Sequence, residues 1–395
     1  MVGAGISGLS VASALSADAN VAVLERETLP GYHATGRSAA ISLMCIGPAR
    51  IRALTLASQD FLAAPHALID EAPLLSPRGM ILMARDDQCE TLLARTRDIA
   101  AAGIVVPINA EEIALRMPLV RSGYAALGMY EADARDIDIM ALQNLHRRKL
   151  AGDGASLLCD TEVLSMRRLG GTWQVETSTG WYAAPVVINA SGAWAEQVGS
   201  LAGARDLGLQ PCRRTGLFFN LPPGVDPATL PMMVDAEGEF YVKPENGGMM
   251  ATPADLTPSP PCDARPEPMD VALGTDRVRA AFDLPGITPV RSWAGLRSFV
   301  ADGVPVCGFD PQVEGFFWLV GQGGVGIQCS PALAGLAASM IRGEAPEMPG
   351  IDPAWFSPSR PGVTDPALRE PDIVTTMTDM QKTPKARASP QRPAD

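Results

Sequence analysis

The sequence predicts an α/β protein that opens on a Rossmann-like dinucleotide-binding unit, and three observations within its first 25 residues predict it. Gly3-Ala4-Gly5-Ile6-Ser7-Gly8 has the Gly-x-Gly-x-x-Gly spacing. Leu9, Val11, Ala12, Ala14 and Leu15 then form the apolar face of a compact helix. Asn20 to Leu24 is a short β-rich run closed by Glu25, 22 positions after the first glycine. A ribose-binding carboxylate is expected at ~20.

Each residue type answers a physical need. Gly3 permits a tight turn, Gly5 lets the backbone approach a pyrophosphate, and Gly8 lets helix and strand pack closely. Ile6 and Ser7 stand at the helix N-terminus, where free amides and the positive dipole end meet phosphate. Glu25 is placed to accept hydrogen bonds from ribose hydroxyls, with Arg26 beside it. A dinucleotide fold also needs a buried first strand of about 5–6 residues, yet only Met1 and Val2 precede Gly3. The expectation is that the strand starts upstream of Met1.

Composition narrows the function. The chain has 395 residues, 47% hydrophobic and 19% charged, which fits a globular protein of two domains. A net charge of −12 repels nucleic acid and anionic lipid, and no Lys/Arg cluster offsets it. Cys45, Cys89, Cys159, Cys212, Cys262, Cys307 and Cys329 are scattered, so reduced thiols in the cytoplasm are expected, not disulfides or a zinc site. Three histidines, His33, His66 and His146, are too dispersed for a metal cluster. No Gly-x-Ser-x-Gly hydrolase elbow occurs. No apolar run approaches the ~18–20 residues of a membrane span. The small apolar start lacks the cationic leader of a signal peptide, its first cation being Arg26.

Pro30 to Ala40 combines turn formers with hydroxyls and an arginine, donors suited to a pyrophosphate. Glu25-Arg26-Glu27 followed by Thr35-Gly36-Arg37-Ser38 resembles the D-amino acid oxidase superfamily of FAD enzymes. Further matches are Asp136-Ile137-Asp138 before a helix with Asp138 as N-cap, and a β-meander from Ser156 to Thr177 that returns through Val186–Asn189 to Ser191-Gly192-Ala193-Trp194. Trp293-Ala294-Gly295-Leu296-Arg297 and Gly321-Gln322-Gly323-Gly324-Val325-Gly326-Ile327-Gln328 follow. Ser330-Pro331 reads as N-cap and first residue of a helix to about Ile341. Leu74–Arg78, Phe240–Pro244 and the block from Trp293 to Gly303 are similar to the D-arginine dehydrogenase branch.

The resemblance implies noncovalent FAD held by residues 1–50, 136–205 and 292–348, with Val163 touching adenine through its backbone. It implies a substrate domain on a mixed sheet from residues 51–135 and 206–291, while 357–395 reads as a disordered tail. Small-molecule flavin oxidation of an amine needs a carboxylate anchor, and an arginine fork suits it. The resemblance places Arg297 there, aided by Arg214 and Tyr241, with Gly324 letting the main chain approach the substrate amine. His33 receives no role. Where the D-arginine branch has an acid after Leu-Leu-Ser-Pro-Arg, this chain has Gly79-Met80, and Ile41 to Ile46 is mostly apolar. A buried guanidinium would go unpaired there. The expected reaction is therefore oxidation of a small or apolar D-amino acid. Glycine or sarcosine oxidation, 2-hydroxy acid dehydrogenation, and a non-catalytic flavoprotein are the alternatives. The electron acceptor is oxygen or a quinone, and the location cytoplasmic or peripheral at a membrane.

Overall fold

The computed structural model describes residues 1–284, 286–365 and 368. Its first layer is a parallel sheet in the spatial order Ser156–Leu158, Ala22–Leu24, Val187–Asn189, Phe316–Val320, with Val306–Phe309 antiparallel at the edge. Val2 lies at the centre, bridging Leu24 and Asn189 in the parallel sense. Its amide donates to Ile188 O and its carbonyl accepts from Ala190 N, both at 2.9 Å. The slot of the expected first strand is thus held by Val2.

Phe316-Phe317-Trp318-Leu319-Val320 is buried throughout, the mark of a strand covered on both faces. On one face helices Ile6–Leu15, Ala49–Ala63, Ile139–Gly152 and Gly326–Arg342 bury Leu9, Leu54, Leu150 and Leu336 with Phe317 and Leu319. On the other, Trp173 and Val175 of a three-stranded meander pack against Phe316, Trp318 and Val320. That meander comprises Val163–Leu169, Thr172–Thr177 and Gly180–Ala184. Ser156–Leu158, expected within it, pairs instead in parallel with Ala22–Leu24. There Leu157 packs, half-buried, against the core on one face of the layer and Leu158 against the core on the other.

The second layer is a nine-stranded mixed sheet drawn largely from the two insertions. Met232–Asp235 runs parallel to Met80–Ala84, and its other pairings are antiparallel. Arg291–Phe299, expected with the cofactor segments, is hydrogen-bonded along its whole length to Gln210–Asn220 of this sheet. Helix Ala49–Ala63, expected with the substrate segments from residue 51, places Ile51 and Leu54 in the core of the first layer.

The final long helix also starts earlier than expected. It runs Gly326–Arg342 from N-cap Val325, leaving Ser330 and Pro331 inside. Proline has no N–H for the carbonyl four residues back, and the Ser330 hydroxyl fills that role by donating to Ile327 O at 2.9 Å. Asp138 is an N-cap as expected, accepting from Ala141 N at 2.8 Å. Of the expected tail, the described start is packed: Arg360 pairs with Asp302 at 2.7 Å and Val363 is buried. The rest, beyond Asp365 apart from Leu368, lies outside the described residues.

Candidate active site

A cavity of about 410 Å³ is lined both by the glycine turn of the parallel layer and by residues of the mixed sheet. The first turn is built by contact. Gly3 has φ +97°, and a Cβ there would lie 2.6 Å from Ala190 O. A Cβ on Gly8 would lie 1.9 Å from Gly3 O. Both positions therefore require glycine, and Gly8 acts by packing, outside the cavity lining. Gly5 differs, since its nearest atom to an added Cβ is Thr35 Oγ1 at 3.4 Å and it lines the cavity.

The amides are divided between protein and cavity. Gly3 N donates to Leu24 O at 2.8 Å, Ala4 N to Glu25 Oε2 at 2.7 Å, and Ile6 N to Thr35 Oγ1 at 3.0 Å. Gly3 is thus a shaping residue whose amide is already spent on the sheet. The amides of Gly5, Ser7 and Gly8 have no acceptor among the described residues, as the opening of a helix dictates. With the dipole behind them, the amides of Gly5 and Ser7, which border the cavity, form an anion site. Glu25 also accepts from Glu27 N at 2.9 Å, so one carboxylate ties the turn to the strand end and borders the cavity.

Around this turn, Arg26 lies over the Trp194 ring at 4.5 Å, and His33 packs on the same tryptophan while contacting Glu27 at 2.9 Å. Arg26, Trp194, Val163, Ser191 and Gly192 all border the cavity. Gly192 has φ +58° with open space where a Cβ would stand, whereas Ser191 turns its hydroxyl to Asn189 Oδ1 at 2.7 Å. Thr35, Arg37 and Ser38 border it too. Arg37 is committed to Ala264 O, Ala294 O and Asp263, and Ser38 Oγ accepts from Ala40 N. Gly36 stands outside the lining and closes its turn by donating to Gly31 O at 2.8 Å.

A smaller cavity of about 70 Å³ adjoins the first. Seven residues border both, and they include Arg297, Tyr241, Arg214 and Gly324, the four singled out from sequence. Register explains the meeting. Cys212 opposes Arg297 and Arg214 opposes Gly295 on neighbouring antiparallel strands, so both arginines rise from one face of the sheet. Arg297 donates to the Tyr241 hydroxyl at 3.0 Å. Gly323, Gly326 and Ile327 bring the N-terminus of the last long helix to the same junction.

Gln328, expected at the cofactor, has its amide engaged within the protein. Its Oε1 accepts from Leu43 N at 3.0 Å and its Nε2 donates to Thr55 Oγ1 at 2.9 Å, and it borders the smaller cavity alone. Ile41, Leu43 and Ile46, from the apolar run expected at the substrate, wall that cavity, together with Met232, Val234 and Phe240, to which sequence reasoning gave no site role. Met232 and Val234 belong to no motif, and strand alternation was the only signal available for them.

The chain matches the family described as "DAO: FAD dependent oxidoreductase" over residues 1–340. It is 31% identical over 196 residues to glycine oxidase from Geobacillus kaustophilus, a match covering 48% of this chain and 49% of that enzyme. With Pseudomonas aeruginosa glycine oxidase it shares 29% over 376 residues, 91% of this chain and 98% of that one. The crystal structure of the Geobacillus kaustophilus enzyme superposes with a TM-score of 0.79 at 23% identity, covering 91% and 97% of the two chains. L-proline dehydrogenase from P. horikoshii gives 0.77 at 20%, covering 90% and 95%. The open Gly5 cradle, the unspent amides and the carboxylate beside them fit FAD. No described helix is long and apolar enough to cross a membrane. The chain belongs to the DAO family of FAD-dependent oxidoreductases.

Proposed function

We propose that this oxidoreductase oxidises the carbon–nitrogen bond of a small or apolar amino acid, of the D series where the α-carbon is chiral, to an imino acid that hydrolyses to a 2-oxo acid. Bound FAD, held noncovalently, supplies the two-electron oxidation by taking hydride from the α-carbon. Cys329 supports the noncovalent reading, being fully buried and outside both cavity linings. The segments of the parallel layer act as the cofactor domain and the nine-stranded sheet as the substrate domain.

One observation carries the proposal: an arginine–tyrosine pair stands where the cofactor cavity joins an apolar chamber. Arg297 pairs the substrate carboxylate through its fork, and the Tyr241 hydroxyl accepts from Arg297 while donating to a carboxylate oxygen. Holding that end fixes where the α-carbon lies, and orientation supplies a large share of the rate in such reactions. Arg214 adds positive potential from the next strand. No Asp, Glu, His or Lys borders the smaller chamber among the described residues. The site thus offers no general base there, and the amine must arrive neutral.

The same absence of an acid separates this site from a D-arginine dehydrogenase, despite the branch-like segments at Leu74–Arg78 and Phe240–Pro244. Arg78 and Lys243 of those segments are both engaged with Asp136. A substrate guanidinium would be buried without a counter-charge. Glycine or sarcosine suits the small chamber equally, and the likeness to glycine oxidases favours that second reading. The seven cysteines form no disulfide among the described residues, which fits a reducing compartment. The electron acceptor is oxygen or a quinone.

Anaerobic flavin bleaching with glycine, sarcosine, D-alanine, D-leucine, D-proline, D-arginine and D-lactate tests the proposal. Amino acids with small or apolar side chains should bleach it, and D-arginine and D-lactate should not. Bleaching by lactate alone would sink the amine reading. Arg297→Ala should cost about a hundredfold in kcat/KM, the worth of a lost charged hydrogen-bonding pair, with flavin content retained.

A further inference from the structure

We infer that Glu131 and Gln328 are positioning residues that set substrate size, by suspending the segment Leu43–Cys45 as one wall of the smaller chamber. The inference rests on the functional reading above and assigns that site its specificity device.

Three consecutive backbone amides of the wall are received by buried side chains and, among the described residues, by no backbone carbonyl. Leu43 N donates to Gln328 Oε1 at 3.0 Å, Met44 N to Glu131 Oε1 at 2.7 Å, and Cys45 N to Glu131 Oε2 at 3.1 Å. Glu131 is 1% exposed and Gln328 4%. One acceptor comes from a strand of the nine-stranded sheet and the other from the helix whose N-terminus reaches the cofactor cavity. Gln328 is itself fixed by Thr55, and the neighbouring Ser42 Oγ accepts from Gln59 Nε2 at 2.7 Å. The wall therefore hangs between the two layers of the protein on side-chain acceptors alone.

The chamber's other boundaries are imposed in the same way. Ala40 (φ +43°) and Ala254 (φ +55°) both border it, and an alanine stays in left-handed backbone only when its surroundings hold it there. Leu43 of the suspended wall, and Ile46 just after it, border the chamber. Glu131 borders neither cavity, so it acts through the backbone it holds. An apolar pocket discriminates by about tenfold or more per methylene only if its walls do not yield.

The experiment uses FAD-loaded enzyme carrying Glu131→Gln, which loses one of two acceptors, or Gln328→Leu. Glu131→Asp, which keeps the charge but withdraws it by one methylene, serves if Glu131→Gln does not fold. Hydrogen exchange across residues 41–46 without substrate should accelerate at least tenfold. The ratio of kcat/KM for D-leucine over glycine should shift at least about tenfold, carried mainly in KM. Unchanged exchange in folded variants overturns the suspension. Faster exchange with an unchanged ratio overturns the specificity role. If wild-type flavin is reduced by no amino acid, the functional reading fails and the exchange result alone decides whether these side chains hold the wall.

Discussion

Gly5 and Gly8 occupy one motif and face opposite constraints. A methyl on Gly8 meets a backbone oxygen at 1.9 Å, and neither partner can swing aside. Gly8→Ala should therefore lower stability by about 3 kcal/mol, seen as a drop in the urea midpoint of the flavin-free protein. Gly5 has φ −69°, which alanine adopts freely, and its nearest neighbour is 3.4 Å away. Gly5→Ala should leave stability within about 0.5 kcal/mol. Its methyl stands in the cavity, so FAD affinity should fall at least about tenfold, a packing loss of ~1.4 kcal/mol. Equal losses of stability in both variants would refute the division of roles. The glycines were legible because spacing alone demands them. The commitment of the Gly3 amide to Leu24 O was not, because it depends on a strand about 20 residues away closing beside it.

Elements were read well where local chemistry decides and poorly where packing does. The helix capped by Asp138 was found because a side chain and an amide three residues on suffice to define it. The Ser330-Pro331 signal failed because helix Gly326–Arg342 is buried along most of its length, and burial outweighs a start signal worth about 1 kcal/mol. The start of the segment 357–395 misled in the opposite sense. Its polar, proline-containing sequence reads as tail, yet Val363 is buried and the Arg360 fork grips Asp302 with a further bond to Val304 O. Both charges are largely shielded, so Arg360→Ala strands the aspartate. A loss of about 3–5 kcal/mol is expected, measured by chemical unfolding, and Asp302→Asn in the same background should recover part of it. An Arg360→Ala protein as stable as wild type would show this segment to be dispensable.

At the scale of the whole molecule, pH couples one buried ring to global stability. His146, on helix Ile139–Gly152, is 4% exposed, its two ring nitrogens have no partner among the described residues, and it stacks on Phe61. Burial, assisted by nearby His66, lowers its pKa from 6.5 to about 4. The unfolded chain then binds a proton at His146 between pH 6.5 and 4 that the folded protein refuses. Stability carried by this residue is full above pH 6.5 and falls as pH drops through that window, by about 3 kcal/mol at its end. Burial pushes the carboxyls of Glu131, Glu196, Asp235 and Asp255 upward. Their sign is opposite, because the folded state holds those protons more tightly and gains as pH falls toward their unfolded range. The bare pH profile therefore mixes two slopes, and the difference between variants separates them. His146→Leu removes the imidazole while leaving the carboxyls untouched. Urea unfolding of both proteins at pH 7.5, 5.5 and 4.5 should show the variant gaining on wild type at each step down, with most of the gain made by pH 4.5. Parallel curves would mean that the ring takes up its proton in the folded protein, and that the space beside Phe61 admits water.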